Sequence, residues 1–387
     1  MSPKNFSIAL NSIVVAVFLV FLFLPSISFL NGIGPQLAEE ENRRAATLPA
    51  WQFKKAAIKK YPEAFGNWFS DHMGIRQHLV QAHGLINRDW LKSHDSVLTG
   101  TNDWLFLLRE PTRVAVAPPI PSDYCGRNPF GQVELQRWKS SLLDNWKQQK
   151  QEGRQYVLMI VPNKQTIYSS HLPSRVLCKG GDSRLDQLIQ SFANEPDFPL
   201  LDLRPVFLAQ AQPPLWYRTD THWNGRGASL ALDNLLDYLN SQLELKLTNV
   251  ISTSRFSMRV RKTKGWGLAV MSGMKHSFVE SEPQIVPRKP RASPLENPFP
   301  NRTRDLRRQP QAYHQEDPQL PNILVLHDSF FDKRIKRLLT GSFARSSFVW
   351  HRGKPSLAIE NELINQVAPD IVLHEMVERN LLHDYFK

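Results

Sequence analysis

Hydrophobic and polar positions along the chain fall into blocks of different period, and the periods predict the elements. The first block runs from Ile8 to Leu30 with no charged residue; its only polar members are Asn11, Ser12, Ser26 and Ser28. Roughly 20 apolar residues cross a bilayer core, so this run predicts one N-terminal transmembrane helix. Pro25 is placed to kink it near its outer end. Residues 37–60 read as a stalk. Over 61–110, Phe65, Trp68, Phe69, Leu79, Leu85 and Trp90 give an irregular helical stripe, and Leu105–Leu108 suits a short buried strand.

From residue 132 the pattern alternates between two periods. Leu135, Trp138, Leu142, Leu143 and Trp146 share one helical face. Tyr156–Val161 is then apolar at every position, which fits a central parallel strand covered on both faces. Further strands are expected at Pro199–Leu203, Ile323–Leu326, Ser347–Trp350 and Ile371–His374. Helices are expected around Leu232–Leu239, 331–340 and 356–367. This βαβ rhythm predicts an α/β domain, a mostly parallel sheet flanked by helices. Residues 281–321 break the rhythm. They are rich in proline and carry Arg288, Lys289, Arg291, Arg302, Arg304, Arg307 and Arg308, so they read as an extended basic excursion, either a solvated loop or a lip for an anionic polymer.

Composition sharpens this picture in two respects. With 387 residues, of which 41% are hydrophobic and 22% charged, most of the chain is expected to be globular. The formal net charge of +12 favours polyanionic partners, whether anionic lipid, acidic polysaccharide or nucleic acid. No zinc-finger spacing or aromatic RNA-binding signature accompanies the charge, so nucleic acid is not expected. Lys4 precedes the apolar run and Glu39, Glu40 and Glu41 follow it, which favours a cytoplasmic N-terminus and an exported remainder. A cleaved signal peptide is the alternative, but the run is long for one and no clear small-x-small site follows it. The expected organisation is therefore 1–36 as cytoplasmic stub and signal-anchor, 37–60 as stalk and 61–387 as a periplasmic domain held at the inner membrane. In an exported chain the two cysteines, Cys125 and Cys178, are a candidate disulfide, the alternative being two unpaired thiols. Neither has a Cys or His neighbour at metal-binding spacing, so no metal is expected.

Two segments carry chemistry. In Tyr217-Arg-Thr-Asp-Thr-His-Trp-Asn224, an extended backbone would send Asp220 and His222 to the same side. A carboxylate on one imidazole nitrogen fixes the tautomer and leaves the other nitrogen as a base. In Leu324-Val-Leu-His-Asp-Ser-Phe330, Ser329 follows an apolar strand, with a helix expected just after it. A serine at such a turn is exposed at the carboxyl edge of the sheet, where a helix start favours an oxyanion. Each segment also has a purely structural reading. Asp328 or Ser329 would cap a helix well, and Asp-x-His often forms a surface pair.

The chain resembles the alginate O-acetyltransferase family of the AlgJ/AlgX type, whose domain is SGNH-hydrolase-like. The resemblance rests on Glu41-Asn-Arg43, Pro49, Tyr61-Pro-Glu-Ala-Phe65, Phe69-Ser-Asp-His-Met-Gly-Ile-Arg76 and Gly100-Thr-Asn-Asp-Trp-Leu-Phe106. It continues through Val161-Pro-Asn-Lys164, Ile167-Tyr168, Leu172-Pro173 and, most specifically, Arg218-Thr-Asp-Thr-His-Trp223. His327-Asp-Ser-Phe330 and Pro369-Asp-Ile-Val372 with Glu375 and Glu378-Arg379 complete it. In Lys264-Gly-Trp-Gly-Leu-Ala269 the acidic residue expected after the first glycine is missing. The chain ends soon after its last strand, which resembles the anchored AlgJ type rather than the type with an added carbohydrate-binding module.

The resemblance implies that Ser329, His222 and Asp220 form a triad with Ser329 as nucleophile. It implies ping-pong transfer of acetyl groups to a polysaccharide, and an acetyl donor supplied by a membrane-bound O-acyltransferase partner of the AlgI kind rather than by a bound cofactor. Candidates for the second oxyanion donor or for substrate contact are Asn163, Arg218 and Trp223. A carbohydrate esterase with water as acceptor and a non-catalytic, membrane-anchored polysaccharide-binding scaffold are the alternatives.

Overall fold

The computed structural model describes residues 3–31, 45–51, 53, 55–73, 76–86, 96–108, 126–173, 176, 180–243, 247, 256–287, 292–297, 299, 308–317, 319–351 and 357–383. The chain divides into two units, Met1–His94 with Ala269–Ser277, and Asp95–Leu268 with Phe278–Lys387.

The first unit begins with helix α1 (Pro3–Leu30). Its stretch Asn11–Ser28 is long and apolar enough to cross a membrane, and of its described side chains all but Ser28 are exposed. Helices α2 (Lys55–His72) and α3 (Arg76–Ile86) follow, so the helical block starts inside the expected stalk. Along α2, Tyr61, Phe65 and Phe69 lie four residues apart, and their rings stack in sequence at 6.1 and 6.4 Å.

In the second unit the elements come in the order β1 (Val97–Thr99), β2 (Leu105–Leu107), α4 (Gln132–Gln151), β3 (Gln155–Val161), α5 (Lys164–Ile167), α6 (Arg184–Ser191) and β4 (Leu200–Asp202). They continue with α7 (Arg204–Ala209), α8 (Gly225–Leu243), β5 (Phe256–Lys264), α9 (Gly267–Met271), whose residues from Ala269 on belong to the first unit, and β6 (Val279–Pro287). The last are β7 (Ser293–Leu295), β8 (Gln311–His314), β9 (Asn322–His327), α10 (Lys333–Leu339), β10 (Arg345–Trp350), α11 (Asn361–Val367) and β11 (Ile371–Val377).

Seven strands form the main sheet in the order β4-β3-β11-β9-β10-β8-β7. From β4 to β10 all neighbours are parallel, whereas β8 and β7 run antiparallel at the edge, so the sheet is mixed. The antiparallel edge comes from residues 281–321, which read in the sequence as an excursion without elements of its own. Ladder pairing supplies an order there that no apolar period announces. Of the basic residues named in that segment, only Arg308 lies among the described residues, with its guanidinium 4.9 Å from the Trp350 ring centre. β5 and β6 form a separate two-stranded hairpin.

The continuous apolar runs follow from burial on both faces. Along β3, Val157, Met159 and Val161 join the core on the α8 side, with Leu232, Leu235, Leu236 and Leu239. Tyr156, Leu158 and Ile160 join the opposite core, with Trp138 and Leu142 of α4 and Leu363 of α11. Strand residues alternate between faces, so a strand between two cores must be apolar throughout.

Candidate active site

The Asp-x-His segment lies on a tight reversal ahead of α8. Trp216 and Trp223 form an antiparallel bridge, and Asn224 N–H donates to Leu215 O at 2.8 Å. The Asn224 side chain then caps α8: its Oδ1 accepts Arg226 N–H at 2.9 Å, and its Nδ2 donates to Pro214 O at 2.7 Å. At Gly227 a Cβ would stand 2.4 Å from Leu215 O, so only glycine lets the helix start this close to the loop.

Between the bridged tryptophans the backbone bends instead of running extended. Asp220 and His222 therefore do not meet by strand alternation. His222 N–H donates to Asp220 Oδ1 at 3.0 Å, a turn closed by the aspartate itself, and this brings Nδ1 to 2.7 Å from the same oxygen. A carboxylate only accepts, so Nδ1 carries the proton and Nε2 is left as the acceptor. Nε2 lies 2.9 Å from Ser329 Oγ. The three side chains thus form an unbroken relay.

The turn that carries Ser329 follows the same device at the carboxyl end of β9. Phe330 N–H donates to Asp328 Oδ1 at 2.9 Å, and half-buried Ser329 stands between them. The helix does not begin just after Ser329. α10 starts at Lys333, with Asp332 as its cap accepting Arg334 N–H at 2.7 Å, so neither Asp328 nor Ser329 is the cap. The extra turn is stabilised because Asp328 is committed elsewhere: its Oδ2 accepts Val377 N–H at 2.9 Å and Asn380 Nδ2 at 2.8 Å.

The charges around the relay are set by burial and by hydrogen bonds. Burial alone would raise the Asp220 carboxyl. The His222 charge and hydrogen bond, with N–H groups of Gly267 and His222, outweigh burial and hold it below the usual range. Beneath the Ser329 turn, burial and then the Asp328 charge push Glu375 well above the carboxylate range, and its Oε2 accepts Asp328 N–H at 3.0 Å. Burial also raises Glu378, against the Asn163 N–H it accepts at 2.8 Å and the Thr166 hydroxyl at 2.8 Å. Burial lowers His327 and His374 well below the ordinary histidine value. Among the described residues no three metal-type side chains converge.

The remaining candidates are placed as follows. Asn163 is fully buried at the end of β3, tied to Glu378 through its N–H. Arg218 turns away along the hairpin: Nη2 donates to Val279 O at 2.8 Å, and Nε lies 3.9 Å from Glu280 Oε1. Trp223 is 2% exposed and packs edge-on against Phe330, with ring centres 5.2 Å apart, leaving no open face for a sugar ring. Cys125 and Cys178 lie outside the described residues.

Several residues that contact the relay or its supports stand outside the pattern that predicted it. Gly267 N–H donates to Asp220 Oδ2 at 2.9 Å, from the very loop whose acidic residue is missing. Thr219 ties that loop down: its hydroxyl accepts Trp266 N–H at 3.0 Å and donates to Glu280 Oε2 at 2.8 Å. Lys164 Nζ donates to the carbonyls of Leu105, Arg218 and Asp220. One signal for such groups was present in the sequence: His374 and Glu375 interrupt an apolar strand that is buried along its whole length.

Comparison with known proteins completes the assignment. Residues 97–293, just over half of the chain, match the family model described as the SGNH hydrolase-like domain of the acetyltransferase AlgX. Among solved structures, Bacillus cereus PatB1 superposes with a TM-score of 0.54 at 17% identity, covering 76% of this chain and 99% of that one. PatB1 with a sulfonyl adduct gives 0.51 at 16% identity, covering 75% and 99%. The O-acetyltransferase domain of Pseudomonas putida AlgJ gives 0.46 at 20% identity, covering 74% and 92%. No curated protein sequence matches. The PatB1 likeness is one of fold; the family match covers the Asp220–His222 reversal, and the chain belongs to the AlgX acetyltransferase family, with an SGNH hydrolase-like α/β domain and an O-acetyltransferase kind of enzyme as its type.

Proposed function

We propose that the protein is an O-acetyltransferase, anchored in the inner membrane and facing the periplasm, that acetylates hydroxyls of an alginate-like exopolysaccharide through Ser329. The observation that carries this is the relay itself, Asp220 Oδ1 to His222 Nδ1 at 2.7 Å and His222 Nε2 to Ser329 Oγ at 2.9 Å. In the first half-reaction His222 Nε2 takes the hydroxyl proton as Ser329 Oγ attacks the acetyl carbonyl of the donor. The Ser329 N–H is the donor assigned to the developing oxyanion in this scheme. The tetrahedral species collapses, the donor's leaving group departs with the proton from His222, and acetyl-Ser329 remains. In the second half-reaction a sugar hydroxyl gives its proton to His222 and attacks the acyl carbon, and Ser329 leaves with that proton restored. Asp220, held ionised, stabilises the imidazolium in both halves.

No bound cofactor enters this scheme. A membrane-bound O-acyltransferase partner of the AlgI kind supplies acetyl, and the apolar helix α1 keeps the enzyme beside it. The net charge of +12 suits an anionic polymer as acceptor, and nucleic acid has no part in this account. A second reading is favoured by one observation. The His222 side chain is 31% exposed, so water can approach the acyl-enzyme and the same relay would act as an esterase.

The test compares the full-length protein with Ser329→Ala on a chromogenic acetyl ester and a panel of oligosaccharides, with adducts read by mass spectrometry. Acetylated sugar that disappears in Ser329→Ala is the expected result. Ester loss without a sugar adduct would establish the esterase. No turnover of either kind in the wild type would leave the polysaccharide-binding scaffold, and sugar acetylation that survives the substitution would overturn the role of Ser329.

A further inference from the structure

Lys164 is buried at the start of α5, directly after β3. Its Nζ donates to Leu105 O at 2.6 Å, Arg218 O at 2.7 Å and Asp220 O at 2.9 Å. The ring centres of Trp104 and Phe106 lie 4.9 and 5.2 Å from the same nitrogen. An ammonium has three donors and no acceptor, so this site offers one carbonyl to each N–H and aromatic faces to the charge. A buried lysine is costly unless so compensated. Its position is specific: it grips the carbonyls of Arg218 and Asp220, on either side of Thr219, and joins them to β2.

We propose that Lys164 is a positioning residue for acyl transfer, its ammonium clamping the Arg218–Asp220 backbone to β2 and so holding the Asp220–His222 turn in reach of Ser329. The inference rests on the Ser329 relay set out above. It adds a pH dependence to that relay. A neutral amine has two N–H groups for three carbonyls, and its lone pair would face the third. Asp220 and Glu280 favour the charged form, whereas burial, Arg218 and, from the turn after α5, His171 oppose it. Burial is the largest of these and brings the group down to about 7, so the third donor is lost across the neutral range. The clamp therefore loosens as pH rises.

The experiment measures the rate at which phenylmethanesulfonyl fluoride labels Ser329 in the full-length protein, read by intact mass from about pH 5.5 to pH 9.5, for wild type, Lys164→Met and Lys164→Arg. Wild-type labelling is expected to fall by about tenfold on the alkaline side as the clamp opens. Lys164→Met should label at least about tenfold more slowly at neutral pH, with kcat for an acetyl ester reduced and KM nearly unchanged. Lys164→Arg, charged throughout, should recover part of the rate and lose the alkaline fall. An alkaline fall that persists in Lys164→Arg, a wild-type profile without one, or a Lys164→Met rate equal to wild type would each overturn the inference. Should Lys164→Met not fold, the wild-type and arginine profiles still decide. Failure of wild type to label at Ser329 would instead sink the relay on which the inference depends.

Discussion

Gly267 N–H donates to Asp220 Oδ2 at 2.9 Å while His222 occupies Oδ1 of the same carboxylate. Asp220 thus accepts on both oxygens, from Gly267 on one and from the backbone and ring of His222 on the other, which fixes its plane, and the imidazole it orients inherits that orientation. A Cβ on Gly267 would stand 3.0 Å from Asp220 Oδ2, closer than a carboxylate tolerates comfortably. Gly267→Ala is expected to tilt the carboxylate and lower kcat by about 10- to 100-fold, as misplacement of a catalytic group does, with little change in KM. Steady-state kinetics on an acetyl ester check this. Wild-type kcat in Gly267→Ala would mean that the 264–267 loop does not orient Asp220.

Asp328 carries the turn that holds Ser329. Its carboxylate accepts from Phe330 N–H, Val377 N–H and Asn380 Nδ2, all buried. Asp328→Ala strands these donors away from water, and each stranded group costs about 1–3 kcal/mol, so a loss of about 3–5 kcal/mol is expected. Urea unfolding monitored on the protein measures it. A loss below about 1 kcal/mol would show that water replaces the carboxylate freely.

Thr219 links the loop before His222 to the hairpin through its hydroxyl, which donates to Glu280 Oε2 and accepts Trp266 N–H. Thr219→Val keeps the shape and removes both bonds. The expected cost is about 1–3 kcal/mol of stability, together with slower acylation as Gly267 loses its anchor. Unchanged unfolding and unchanged kinetics in this variant would contradict the link.

Stability should also respond to mild acid. His327 and His374 have folded values below 6.5, so the unfolded chain binds protons first as pH falls from 6.5, and each histidine removes stability at up to about 1.4 kcal/mol per pH unit. Glu375 and Glu378, raised when folded, act with the opposite sign above their ordinary value of 4.5. Because the two effects oppose each other, the difference between variants is the useful quantity. His374→Gln should flatten the loss between about pH 6.5 and pH 5.5 by up to about 1.4 kcal/mol. Denaturant titrations of both proteins at the two pH values test this, and parallel slopes would refute it.

The sequence by itself determined the layered α/β core, because an apolar run such as Tyr156–Val161 has only one economical use, a strand covered on both faces. It also determined which residues could form a relay, since Asp220, His222 and Ser329 stand out by chemical type. Tertiary structure alone decided how they meet. The two halves of the relay are 107 residues apart, and the Asp220–His222 pair forms through a turn closed by Asp220, not through the strand alternation its spacing suggests. The supports were less legible still. Gly267 acts through a backbone N–H, and the sequence cannot say which amide meets which carboxylate. Lys164 acts through a side chain that reaches carbonyls on two distant segments. The antiparallel strands β7 and β8 are not legible in the sequence for a related reason: edge strands are held by ladder hydrogen bonds from a neighbour already in place, and such bonds leave no period in the chain that receives them.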